Sequence, residues 1–384
     1  MSETFGNWDF GLNAEQEERA AKLHAESIII DTLFQGPCGY RSFDAEMQQQ
    51  LETEYARHGD PEKGLFSAVD MPVRMAVEGR FPEFERCWKD SGITAGNRQT
   101  GGDSVEEAFE YFALAQAQFD QLPWLIKATK VEDIRRAKAE GKCAGFVSMQ
   151  NTLDIGTNLD RLNQYYDMGM RMIQLTYNSV NFVGGGCTDR VDCGVTDFGV
   201  KFIERMNKLG MIVDISHCGR QTTLDACALS TSPVVASHTS AMGVHKHDRA
   251  KDDDALEAIA ASGGYVGVYL VSMFLTDKKV STIEDFLDHV DYIANLIGPQ
   301  FIGIGSDWPM QAPEWGVQRL AEYAMDIGFR PEHGLAAPVN VEGFDDYRDF
   351  PNITRGLVSR GYSDEQIRGI LGENFLRVFG AVCG

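Results

Sequence analysis

Apolar residues in this chain recur as short, nearly continuous runs separated by longer stretches of helical period. The runs are Ser27–Leu33 (SIIIDTL), Cys143–Met149 (CAGFVSM), Met170–Thr176 (MRMIQLT), Met211–Ser216 (MIVDIS), Pro233–Ser237 (PVVAS), Gly264–Leu270 (GYVGVYL) and Phe301–Ser306 (FIGIGS). Short runs rich in β-branched residues, without polar alternation, are expected of strands covered on both faces of a parallel sheet. A fainter eighth run lies near Ile93–Asn97. Between the runs, helices are predicted over 131–140, 197–209, 221–228 and 282–297, with Ser281 or Thr282 as an N-cap and Gly210 as a C-cap. Strands alternating with helices specify βα units, and eight of them close a (β/α)8 barrel. Residues 36–92 and 98–125 lack this rhythm and read as helical insertions after the first strands. The segment 308–350 reads as a cap on the last βα loop. The expected organisation is one barrel domain over 1–384, with its core from about residue 22.

Composition narrows the function. The chain has 384 residues, 43% of them hydrophobic and 24% charged, which is ordinary for a globular protein. Lys and Arg number 35 against 57 Asp and Glu, a formal charge of −22. Such a surface repels phosphate backbones and anionic membranes, so neither nucleic acid nor a membrane is an expected partner. The N-terminal segment has no basic region followed by an apolar one, and no stretch approaches 18 apolar residues. Eight cysteines are scattered without a CxxC pair, which fits free thiols in a reducing cytoplasm. Cys187 and Cys193 are either a redox pair, half a metal site or plain loop residues. No phosphate-binding loop, HExxH helix or nucleophile elbow is present, and Gly184–Gly186 has the wrong spacing for a dinucleotide fingerprint.

In a (β/α)8 barrel the residues just beyond the strands form the active site. Here these are Gln150, Tyr177, His217, His238 and Asp307. Two imidazoles and a carboxylate at three strand ends suit zinc or a similar divalent ion, and neighbouring strands would bring His217 and His238 to one ion. Of the other histidines, His24, His58, His289 and His333 read as solvated or structural.

DISH (Asp214–His217), SHTSA (Ser237–Ala241), His247–Arg249, IGIGSDW (Ile302–Trp308), LGENFLRVF (Leu371–Phe379) and LTYNSVN (Leu175–Asn181) together resemble the renal, or membrane, dipeptidase family, metallopeptidase family M19. The resemblance implies a (β/α)8 barrel with, in typical members, a two-zinc centre that hydrolyses dipeptides. It implies that His217 and His238 hold one zinc, that Asp307 lies near the attacking water, and that Arg249 binds the substrate carboxylate. Tyr177 stands where a substrate-contacting histidine is often found. Family members are often dimers, so a homodimer is an open expectation.

The sequence departs from that pattern at the other zinc. Leu33 and Gln35 replace a His-x-Asp pair, and Gln150 replaces the bridging Glu. Leu33 cannot ligate, and an amide brings no charge to offset the repulsion of two dications. The expected centre is one ion on His217, His238 and Gln150, with a metal-free pocket as the alternative. Asp307 is then a general base or a further ligand. Tyr177 is an oxyanion donor or a packed aromatic, and Arg249 a carboxylate clamp or a surface residue of an acidic run. Asn178 is a further candidate substrate contact. Three function classes remain: a metal-dependent hydrolase acting on a dipeptide or other small amide, a metal-assisted lyase on a small carboxylate-bearing or aromatic substrate, or a degenerate binding protein. Retention of His217, His238 and Asp307 together weighs against the last.

Overall fold

The computed structural model describes residues 5–38, 42–58, 70–100, 102–278, 280–307, 325, 327–333 and 341–384. All eight predicted runs form strands: β1 (Ile30–Asp31), β2 (Ala95–Thr100), β4 (Cys143–Met149), β5 (Met170–Gln174), β6 (Ile212–Asp214), β7 (Val234–Thr239), β8 (Tyr265–Val268) and β10 (Ile302–Ile304). They pair in parallel in the order β2-β1-β10-β8-β7-β6-β5-β4, and β4 returns to β2 to close the barrel. Closure leaves these strands without a free edge. A short β3 (Leu125–Lys127), absent from the sequence reading, pairs with the first residues of β4. Two of its three residues are only half-buried, so it lacks the apolar run that marks the others. A separate pair, β9 (Ser281–Thr282) with β11 (Val341–Glu342), lies outside the barrel sheet.

The helices fall where their periodicity places them, at Val131–Ala139, Asp197–Leu209, Arg220–Leu229 and Ile283–Ile297. Thr282 closes a capping box with Asp285, and Gly210 ends its helix at φ +77°. The predicted insertions carry helices Ala45–His58, Glu83–Asp90 and Val105–Gln121, while β2 runs on to Thr100. Trp308 and most of the 308–350 segment fall outside the described residues.

Side chains two apart on a strand share a face, so the barrel interior can be read as layers. Ile30, Phe146, Met172, Ile212, Val235 and Tyr265 form an apolar layer that packs on Phe375, Leu376 and Phe379 of the C-terminal helix Asn374–Cys383. Phe375 lies 5.3 Å, centroid to centroid, from both Phe146 and Tyr265. Two residues further along the same strands come Thr32, Ser148, Met172's successor Gln174, Asp214 and Ser237, all buried and polar. The lumen narrows at this level. A Cβ at Gly305 would sit 1.8 Å from the Ser237 carbonyl oxygen, and one at Gly267 2.1 Å from it, so only glycine fits. Thr32 Oγ1 donates to that same oxygen at 2.6 Å. Above the polar layer the strand ends present the candidate residues.

The aromatic plug yields an expectation. Phe375→Ala should cost about 3–5 kcal/mol of stability, as for other large aromatic truncations in cores. Urea denaturation of purified protein reads this, and an unchanged midpoint would contradict the layered core.

Candidate active site

Asp214 is the anchor of the site. Its Oδ1 accepts from the Ser216 amide at 3.0 Å, the Ser216 hydroxyl at 2.7 Å and the Ser237 amide at 3.0 Å. Its Oδ2 accepts from the Ser237 hydroxyl at 2.5 Å. These bonds tie β6 to β7 immediately before His217 and His238. Burial pushes the Asp214 pKa up, against the hydrogen bonds of Ser237 and Ser216. On the opposite wall Asp31 repeats the device. It accepts from the Ser306 amide at 2.8 Å, the Ser306 hydroxyl at 2.5 Å and the Leu33 amide at 3.1 Å, tying β1 to β10 just before Asp307.

The network assigns the tautomers of both imidazoles. The Ser237 hydroxyl proton is committed to Asp214, so Ser237 Oγ accepts from His238 Nδ1 at 2.8 Å. Asn178 Nδ2 donates to the Ile327 carbonyl at 2.8 Å, which orients its oxygen toward His217 Nδ1 at 2.6 Å. Each ring therefore carries its proton on Nδ1 and a bare lone pair on Nε2. The two Nε2 atoms face one another at 2.8 Å. Burial first, and the Arg249 charge second, holds both histidines well below their usual pKa, so they are neutral.

Around this pair stand the other candidates. Gln150 Nε2 lies 3.3 Å from His238 Nε2. Tyr177 is half-buried and stacks on His217, with centroids 4.1 Å apart and planes inclined by 19°. Arg249 is 1% exposed, so the surface-residue alternative is excluded. It donates through Nη1 to the Ser216 carbonyl at 2.7 Å and through Nη2 to His217 Nε2 at 3.0 Å. Asn178, expected to touch substrate, is instead fully buried with both amide atoms engaged; what it contacts is His217. Its φ of +58°, a left-handed conformation Asn tolerates, aims the side chain there.

Asp307 stands at the β1–β10 wall. Its φ is +44°, its amide donates to the Leu33 carbonyl at 3.0 Å, and its Oδ1 accepts from Gln35 Nε2 at 3.0 Å. Burial raises its pKa to about 6, offset in part by Arg249 and Gln35. Leu33 is buried, and Gln35 holds Asp307.

Sequence reasoning missed Ser237 as the partner of His238 and Lys251 as a buried cation beneath the site. Lys251 donates to the Cys218 carbonyl at 2.8 Å and to Thr223 Oγ1 at 3.1 Å, next to His217. The SH pair at 237–238 was the available signal for Ser237. Cys187 and Cys193 are both free thiols, with separate partners in Asn178 Oδ1 and the Gly194 carbonyl.

Two bare, converging lone pairs with both Nδ1 atoms anchored behind them are the donor arrangement that a divalent ion requires. Two nitrogens each about 2.0–2.1 Å from a tetrahedral zinc stand about 3.3 Å apart, so the rings would part by about half an ångström from their 2.8 Å separation to admit an ion. The residues fit one ion. A second ion would find no charge on Leu33, Gln35 or Gln150, and among the described residues no group of three or more His, Cys, Asp or Glu is placed to hold a metal, so one ion would need Gln150 beside the two histidines.

Comparison with known proteins identifies the family. The model of the membrane dipeptidase family, peptidase family M19, matches residues 17–323 and 327–383. An uncharacterized dipeptidase, C965.12, of Schizosaccharomyces pombe is 31% identical over 379 residues, covering 94% of this chain and 82% of that protein. Among solved structures, an amidohydrolase from Pseudomonas aeruginosa superposes with a TM-score of 0.73 at 26% identity, covering 94% of this chain and 98% of its own. A metallo peptidase from Rhodobacter sphaeroides, liganded with a phosphinate mimic of the dipeptide L-Ala-D-Ala, shares the fold with a TM-score of 0.61 at 21% identity, covering 77% of this chain and 88% of its own. The chain belongs to the membrane dipeptidase family, peptidase family M19, and is an enzyme of the metallohydrolase type.

Proposed function

We propose that this protein hydrolyses the amide bond of a dipeptide or another small amide at a single divalent ion, zinc or similar, held by His217, His238 and Gln150. The observation that carries this reading is the pair of unprotonated Nε2 atoms 2.8 Å apart. Gln150 joins them through its carbonyl oxygen, which a rotation of its terminal amide presents. The ion supplies Lewis acidity at the scissile carbonyl.

The chain's own residues supply the rest. Asn178 and Ser237 keep both imidazoles in the ligating tautomer. Asp307 takes a proton from the attacking water and returns it to the leaving amine, a task suited to a carboxyl whose pKa has been raised toward neutrality. Gln35 holds the carboxylate in place for this. The Tyr177 hydroxyl donates to the oxygen that gains negative charge. Arg249 donates to the substrate carboxylate once His217 Nε2 is ligated and no longer takes the Nη2 hydrogen. Eight free thiols favour the cytoplasm as the compartment.

Metal analysis and turnover test this directly. Protein purified without chelator and saturated with zinc should hold one equivalent and cleave dipeptides, and His217→Ala should lose both ion and activity. Two equivalents would overturn the one-ion centre, and no turnover of mixed dipeptides at saturating zinc would overturn the peptidase reading.

The pH profile tests Asp307. A base must be ionised, and the carboxylate fraction falls as pH drops below about 6. kcat/KM should therefore decline about tenfold per unit on that acid limb. Asp307→Asn should lower kcat by roughly 10²–10⁴ with the ion retained. A profile flat from pH 5 to 7 would exclude the assignment.

The residues behind the ligands should matter too. Ser237→Ala and Asn178→Ala should each weaken zinc binding by roughly 10–100-fold in a competition titration with a chelator. Unchanged affinity would show that the tautomers are set by something else.

A further inference from the structure

One polar atom beside Arg249 lacks a partner. His247 is 8% exposed, and its Nδ1 accepts the Arg249 backbone N–H at 3.1 Å. Burial, then the Arg249 charge, lowers its pKa to about 3, so the ring is neutral and its one proton sits on Nε2. That Nε2–H has no hydrogen-bond partner among the described residues. Buried donors are nearly always satisfied, and an exception calls for a ligand, a water or strain to account for it.

The surroundings indicate what would satisfy it. Nδ1 faces the chain's own loop, so the opposite edge, bearing Nε2–H, points away from that loop among neighbouring rings. The His247 ring lies 4.6 Å from Phe274 and 6.0 Å from Phe329, which are 5.8 Å from each other. A phenyl face accepts an N–H only weakly. The nearby acid, Asp248, is already taken by His333 Nε2 at 2.8 Å. The Arg249 guanidinium stands 5.8 Å from the Tyr269 ring and 5.9 Å from the Phe274 ring, on the same aromatic wall. A neutral donor, a guanidinium and two phenyl rings are thus packed together next to His217, each nine-tenths or more buried.

We propose that His247 is a specificity residue whose Nε2–H, together with Arg249, reads the carboxylate of an apolar acid lying against Phe274 and Phe329. The inference rests on the reading of Arg249 as the residue that meets the substrate carboxylate. It adds both the second donor and the preference for a hydrocarbon group beside that carboxylate. Phe274 and Phe329 give no hydrogen bond to a polar side chain, so a substrate with a polar group there leaves that group unpaired.

The test is equilibrium binding by calorimetry with 3-phenylpropanoate and its neutral amide, 3-phenylpropanamide. The full-length protein is compared with His247→Phe, which keeps an aromatic ring without the donor, and His247→Gln, which keeps a donor. Wild type should prefer the acid over the amide by tenfold or more. His247→Phe should weaken acid binding roughly tenfold to hundredfold and leave the amide within about threefold, while His247→Gln should retain most of the affinity. His247→Met replaces the Phe variant if thermal melting shows that the latter does not fold. Equal affinity of His247→Phe and wild type for the acid, or a wild type that does not distinguish acid from amide, overturns the proposal. Dipeptide turnover by the zinc-loaded enzyme is scored separately. Absent turnover with His247-dependent acid binding rejects the hydrolase reading alone, and turnover with His247-independent binding rejects this inference alone.

Discussion

Asp214 accepts four hydrogen bonds from two strands, and the arrangement of the site follows from that count. The Ser216 and Ser237 amides and hydroxyls converge on one carboxylate. A buried carboxylate left unpaired is costly, so the fold keeps these donors in place. Doing so fixes β6 against β7, consumes the Ser237 hydroxyl proton, and leaves Ser237 Oγ able only to accept from His238 Nδ1. One buried charge thereby determines strand register, ring orientation and tautomer. The Asp31–Ser306 device does the same mechanical work for β1 and β10. The two walls that carry the imidazoles and Asp307 are each fastened by an aspartate one layer below the mouth.

Much of this was legible before the fold was seen, for a definite reason. Parallel barrel strands are covered on both faces, so they appear as unbroken apolar runs, and in a βα unit the residue after each run is the one at the mouth. His217, His238 and Asp307 follow from that rule with no knowledge of packing. β3 did not, because its short, half-exposed span leaves no such run. Arg249 was ambiguous because its neighbours, HDRAKDDD, read as surface. Its burial is a tertiary fact set by Tyr269 and Phe274. The partnership of Asn178 with His217 depends on a left-handed backbone and on which loop lies behind the ring, neither of which a linear pattern encodes.

The charge inventory at the mouth bears on how many ions the proposed centre holds. Around the imidazoles the near cations are Arg249 and Lys251, both buried. The near anions are Asp214, already taking four donors, and Asp307. Leu33, Gln35 and Gln150 contribute none. A second dication would add positive charge where two fixed cations already stand, with no bridging carboxylate to offset it. Burial first, and these cations second, lower the pKa of both imidazoles, which keeps their Nε2 atoms unprotonated.

That inventory also constrains what Asp307 does. A carboxylate that serves as a metal ligand loses its basicity to the ion, whereas one held by an amide retains it. Gln35 donates a single hydrogen bond to Oδ1, and the Leu33 carbonyl fixes the backbone beneath it. Gln35 therefore does for Asp307 what Ser237 does for His238: it orients the group without neutralising it. Gln35 at the end of the first strand brings no charged ligand to the mouth, and in the proposed reaction it gives Asp307 a partner that leaves its charge intact. On the proposed reading, a single ion and a proton-accepting carboxylate both go with the amide at residue 35. In the proposed amide hydrolysis one Lewis acid suffices, because the protein itself positions the base.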